Sequence, residues 1–183
     1  MENIIAYHCA PALAGIKPSN LVSIYKNRVS DVHKEIDNLN AQLNCKGIYI
    51  EILCECPSRV LALVYRKSVL EKHLDDRNTK GFLKMFGYNE SGDIRYCLNH
   101  LKEQLSNDTC FPHEIGVFLG YPLHDIYGFI KHRDVGCLLC GEWRVYKDAE
   151  NAEKMFSRYR ACRKALSRRV ASGHSLAEIF CAA

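Results

Sequence analysis

The 183 residues carry 25 basic and 21 acidic side chains, a net charge of +4, with 48% hydrophobic and 25% charged residues. These are the proportions of an ordinary globular chain and argue against disorder, while the mild positive excess permits an anionic partner without requiring one. No stretch approaches the roughly 18 consecutive apolar residues of a membrane span, and residues 1–8 lack the basic start and apolar run of a secretory signal. A cytoplasmic chain folded as one domain over residues 1–183 is therefore expected. Its ten irregularly spaced cysteines are read in a reducing compartment as thiols that pack, react or bind metal.

In chain order, Ile4, Ile5 and their neighbours to residue 8 read as a short strand, followed by a loop over residues 14–20 bounded by Gly15 and Pro18. Val29, Val32, Ile36, Leu39 and Leu43 recur at helical spacing, with Ser30 as N-cap and Gly47 as the stop. Two β-branched runs, 48–53 and 59–65, flank Pro57-Ser58 and predict an antiparallel hairpin. Residues 68–83 read as helix in pieces, interrupted near 78–81, and Ile94, Leu98, Leu101 and Leu105 mark a further amphipathic helix. Short helices are expected over 112–119 and 123–130, and a strand over 143–146. A long helix is expected from the N-cap Asp148 to Gly173, then a final turn from Ser175. The order predicts an α+β fold, a small antiparallel or mixed sheet covered by several helices.

Three stretches, residues 9–21 (CAPALAGIKPSNL), 111–122 (FPHEIGVFLGYP) and 140–146 (CGEWRVY), resemble an uncharacterised bacterial family, domain of unknown function 3793, over nearly the whole chain. The resemblance implies no activity, ligand or fold, so the functional reading rests on residue chemistry.

Cys9, early in the chain, and His113, in a turn opened by Pro112, form the pattern of a thiol nucleophile with an imidazole partner, Glu114 or Asp125 orienting the ring. That pattern points to a thiol hydrolase or thiol redox protein; the alternative is a packed thiol and a surface histidine. Cys54-x-Cys56 and Cys137-x-x-Cys140 together offer four thiolates for structural zinc or iron–sulfur, weakened by the apolar Leu138 and Leu139 inside the second pair. Residues 114–130 have a helix-turn-helix rhythm, but Leu123, His124, Asp125 and Tyr127 are poor readers of base edges, so nucleic acid is disfavoured. Lys17, Ser19 and Asn20 suggest an anion-binding loop, with Tyr121, Trp143 and Tyr146 as further ligand contacts. The cationic face of the last long helix, with Lys154, Arg158, Arg160, Arg163, Lys164, Arg168 and Arg169, is a solvated surface or a site for nucleic acid, an acidic partner protein or a phosphorylated ligand. No pattern names a cofactor. The leading expectation is an accessory module that binds a small molecule or a partner through one pocket shared by the Cys9-to-Lys17 segment, the His113 turn and residues 140–146.

Overall fold

Residues 4–8 belong to a helix, not a strand: α1 runs Glu2–Leu13. Ile5, Cys9 and Leu13, four residues apart, and Ala6 with Ala10 are all fully buried, so the apolar positions repeat on one helical face. The paired isoleucines that suggest a strand are outweighed by that spacing. The structure, a computed structural model, describes residues 1–107, 111–133 and 135–181.

The expected loop over 14–20 ends earlier than its breakers indicate, because strand β1 begins at Ser19 and runs to Tyr25. Helix α2, Val32–Leu43, is capped by Asp31, one residue past the expected Ser30, whose carboxylate accepts from the Lys34 N–H at 3.0 Å. A single 3₁₀ turn follows, and Gly47 ends it in the left-handed region at φ 70°. The hairpin forms as expected from β2, Ile48–Glu55, and β3, Arg59–Arg66. In the sheet, β3 is central and both neighbours are antiparallel to it, Ser19 facing Tyr65 on one side and Ile48 facing Arg66 on the other.

Helices α3, Lys67–Leu74, and α4, Arg77–Lys84, replace the interrupted helix, but the break lies at Asp75-Asp76 rather than at 78–81. The Asp76 carboxylate accepts from the Asn78 and Thr79 N–H groups at 3.0 Å each and starts α4 there. Helix α5 runs Ile94–Asn107, α6 is the single turn Ile115–Phe118, and α7 is Leu123–His132. Strands β4, Leu139–Cys140, and β5, Arg144–Val145, form a small second sheet. Asp148 caps the long α8, Ala149–Ala171, and α9, Leu176–Cys181, follows Gly173.

The result is an α+β fold in which the three-stranded sheet is covered on both faces. Val60, Ala62 and Val64 of β3 point into one core with α1, α2 and α9, whereas Leu63 and Tyr65 point into a second with α3 to α7. The strand period of two sends alternate residues to opposite cores, which is why β3 reads as a nearly continuous apolar run. A third, smaller core of Trp143, Val145, Ala152, Phe156 and Tyr159 seats the β4–β5 hairpin on the start of α8. Among the described residues no helix is long and apolar enough to cross a membrane.

Candidate functional site

The three signature stretches meet in space. The Ser19 hydroxyl donates to the Phe118 carbonyl at 2.7 Å, and the Asn20 side-chain oxygen accepts from the Ala12 N–H at 3.0 Å. Gly120, at φ 69°, lies flat on the Pro18 ring; a Cβ there would come within 2.5 Å of Pro18 Cδ. Ser19 and Asn20 thus spend their polar atoms on fastening the start of β1 to α1 and to the end of α6. Lys17, only 3% exposed, places its ammonium 5.1 Å from the Tyr121 ring centre and 5.6 Å from that of Tyr159. Burial, with Arg163 adding to it and Glu142 opposing, brings its pKa down to about 8. Glu142 pairs with Arg163 beside this group, and both are largely buried.

On the other side of Tyr121 the chain forms a cleft. The Tyr121 ring packs at 5.1 Å on Trp143, whose indole N–H donates to Asp125 at 2.7 Å. The second Asp125 oxygen accepts from the backbone N–H groups of Tyr146, at 2.7 Å, and Lys147, at 3.1 Å. One buried carboxylate on α7 therefore anchors the β4–β5 hairpin and fixes the tryptophan. Asp125 cannot serve as the face of a recognition helix, because it points inward; the helix-turn-helix alternative fails on that residue and on α6 being one turn long. The cleft, about 230 Å³, is walled by Phe111, His113, Tyr121, Phe129, Trp143 and Arg144, with Gly116, Ile126 and Asp125 behind them. His113 packs edge-on against Phe129 at 5.5 Å, and partial burial, then Arg133, hold its pKa below the usual imidazole value. The imidazole is thus neutral at pH 7, with one nitrogen donating and one accepting.

Of the expected ligand contacts, Tyr121 and Trp143 line this cleft, together with His113, which was expected as a catalytic partner of Cys9, whereas Lys17 lies behind it and Ser19 and Asn20 are structural. Tyr146 packs its ring on Gly128 and donates its hydroxyl to the Arg133 carbonyl, bracing α7 from the outside.

Cys9 is not where the nucleophile reading needs it. Its thiol is fully buried in the first core, and desolvation pushes its pKa upward against the opposing pull of Lys17 and Arg163. It is not among the cleft walls that include His113. Glu114 is also buried, close enough for its charge to add to the burial that raises the Tyr88 pKa, and is likewise not a wall of the cleft. The Cys9–His113–Glu114 set is therefore not assembled, because α1 carries its cysteine on the core face. The four-thiolate alternative fails as well. Cys54 and Cys56 sit at the β2 end of the hairpin and Cys137 and Cys140 by β4, and no group of three or more metal-type side chains gathers among the described residues. Among the described residues, the exposed thiol with a lowered pKa is Cys56, brought to about 7 by the Ser58 hydroxyl and the backbone N–H groups of the turn. A turn of the form Cys-Pro-Ser, with a hydroxyl two residues on, is the signal that marks it in the sequence. Along α8, Tyr7, Arg160, Arg163, Lys164 and Arg168 border an open groove of about 490 Å³.

A family model described as "Protein of unknown function (DUF3793)" matches residues 5–180. No curated protein and no solved structure matches the chain.

Proposed function

The chain belongs to the DUF3793 family, and from its own geometry we propose that it is a binding module which holds a small planar molecule in the aromatic cleft. The observation that carries this reading is a preformed hollow of about 230 Å³ whose walls are the rings of Phe111, His113, Tyr121, Phe129 and Trp143. Stacked and edge-on ring contacts contribute about 0.5–1.5 kcal/mol each beyond area burial, and such rings favour flat ligands. The volume is below the ~300–1,000 Å³ usual for drug-sized ligands, which selects one ring system rather than a dinucleotide. Neutral His113 offers one donor and one acceptor at the rim, and the Asp125 carboxylate already accepts three N–H groups. An uncharged heteroaromatic ring suits both facts better than a cation or a polyanion. The nine described cysteines are free thiols, which suits work in a reducing cytoplasm.

Trp143 is the chain's sole tryptophan and stands in the cleft wall, so its emission reports occupancy directly. Titration with indole, adenine and 4-hydroxybenzaldehyde is expected to give saturable quenching by at least one. Tyr121→Ala should weaken it about 2- to 10-fold through the lost ring contact. No saturable change with any of these probes, or identical titrations for wild type and Tyr121→Ala, refutes the assignment.

A further inference from the structure

We propose that Cys45 and Cys181 form a reversible disulfide that locks α9 onto the end of α2. Both thiols donate to one acceptor, the Gln42 carbonyl, Cys45 at 3.2 Å and Cys181 at 3.4 Å. The two sulfurs are therefore separated by no more than those distances combined, near enough for the Cys45 thiol to raise the pKa of Cys181. Both residues stand where the backbone has room to adjust: Cys45 is the middle residue of the 3₁₀ turn Asn44–Lys46, and Cys181 is the last residue of α9. Cys45 is exposed, so an oxidant reaches it. Burial and the neighbouring Cys45 thiol raise the Cys181 pKa, and the Lys46 and Arg66 charges offset only part of that rise.

The element this bond would hold matters to the fold. Leu176 of α9 is fully buried in the first core, with Ile179 and Phe180 packed beside it. The Arg66 guanidinium lies 5.6 Å from the Phe180 ring centre and also bonds the Leu13 carbonyl at 2.6 Å, so α9 covers the place where α1 and the sheet meet. A bond from residue 45 to residue 181 closes most of the chain into a loop, the case in which a cross-link restrains the unfolded chain most. Cys54 and Cys56 offer no equivalent closure, since they lie two residues apart on one segment.

The oxidant is a low-molecular-weight disulfide such as oxidised glutathione. The Cys45 thiolate attacks one of its sulfurs, forming a protein–glutathione disulfide and releasing one glutathione thiolate. The Cys181 thiolate then attacks the Cys45 sulfur and expels the second. The two protein thiols lose two electrons and two protons, and the glutathione disulfide gains them as two thiols.

The test treats the folded full chain with oxidised glutathione and maps cysteine peptides by mass spectrometry without reduction. The expected result is a cross-linked 45–181 peptide pair that disappears on adding dithiothreitol, with Tm higher by about 5–15 °C in the oxidised protein. Cys45→Ser and Cys181→Ser should each lose both the cross-link and the Tm shift. Because Cys45 is exposed, its serine variant keeps the fold. Glutathione left singly on Cys45 or Cys181, or a cross-link that forms only in urea, overturns the proposal.

Discussion

Lys17 shows what a single side chain contributes when the chain closes over it. An ammonium group with 3% exposure loses its hydration, and two tyrosine rings with a nearby carboxylate return only part of that cost. Its pKa falls from 10.5 to about 8 on folding. Below pH 8 the lysine is charged in both states and the folding penalty is complete. Between pH 8 and 10.5 the unfolded chain holds the proton that the folded chain has released, so stability rises with pH across that window. Lys17→Met removes the group, and the variant is expected to be about 1–3 kcal/mol more stable than wild type at pH 7, the rings' attraction for the cation keeping the gain below the full titration value. The advantage should shrink steadily as pH is raised from 8 toward 10.5. Urea unfolding of both proteins at pH 7, 8.5 and 10 measures it, and a constant difference at all three would show that the lysine is not titrating in this range.

Among the elements, the β4–β5 hairpin depends on contacts outside itself. Each strand is two residues long, far too short to be stable alone, so its place depends on Trp143 and Val145 in the third core and on the Asp125 carboxylate. Asp125→Ala leaves the Trp143 indole, the Tyr146 N–H and the Lys147 N–H without their acceptor. A loss of about 2–4 kcal/mol is expected, since an unpaired buried donor costs more than the bond was worth. The tryptophan emission should move to longer wavelength as the hairpin loosens, and Asp125→Asn, which keeps one accepting oxygen, should fall between the two. An unshifted spectrum in Asp125→Ala would mean that core packing alone seats the hairpin. Most elements are legible in the sequence because their apolar spacing is local: the β2–β3 hairpin, α2, α5 and α8 all stand where periodicity puts them. The α1 segment reads as a strand because two adjacent isoleucines favour one locally, whereas Ile5, Cys9 and Leu13 only declare a helix once a core exists to bury them. Strand β1 is not legible locally because Pro18-Ser19-Asn20 has turn composition, and it is the bonds of Ser19 and Asn20 to Phe118 and Ala12 that make it a strand start.

For the molecule as a whole, the central strand β3 belongs to both large cores at once. Removing order from one face strips packing from the same backbone that holds the other, so the cores are expected to unfold together, as one domain. Heating followed by far-ultraviolet circular dichroism and by Trp143 fluorescence should give superimposable transitions. Trp143 sits in the third, smaller core, so an earlier fluorescence transition would instead identify the hairpin region as a separately melting unit.

The α+β class and the long C-terminal helix with its Asp148 cap follow from the order of residues alone, because periodicity and capping are properties of short windows. Which polar groups face a cavity is not such a property. Burial of Cys9, withdrawal of Lys17 behind Tyr121, the three N–H groups gathered on Asp125 and the meeting of Cys45 with Cys181 all depend on contacts between residues far apart in the chain. A thiol becomes a core atom or a reactive one according to the surfaces that close around it, and only the tertiary structure decides which.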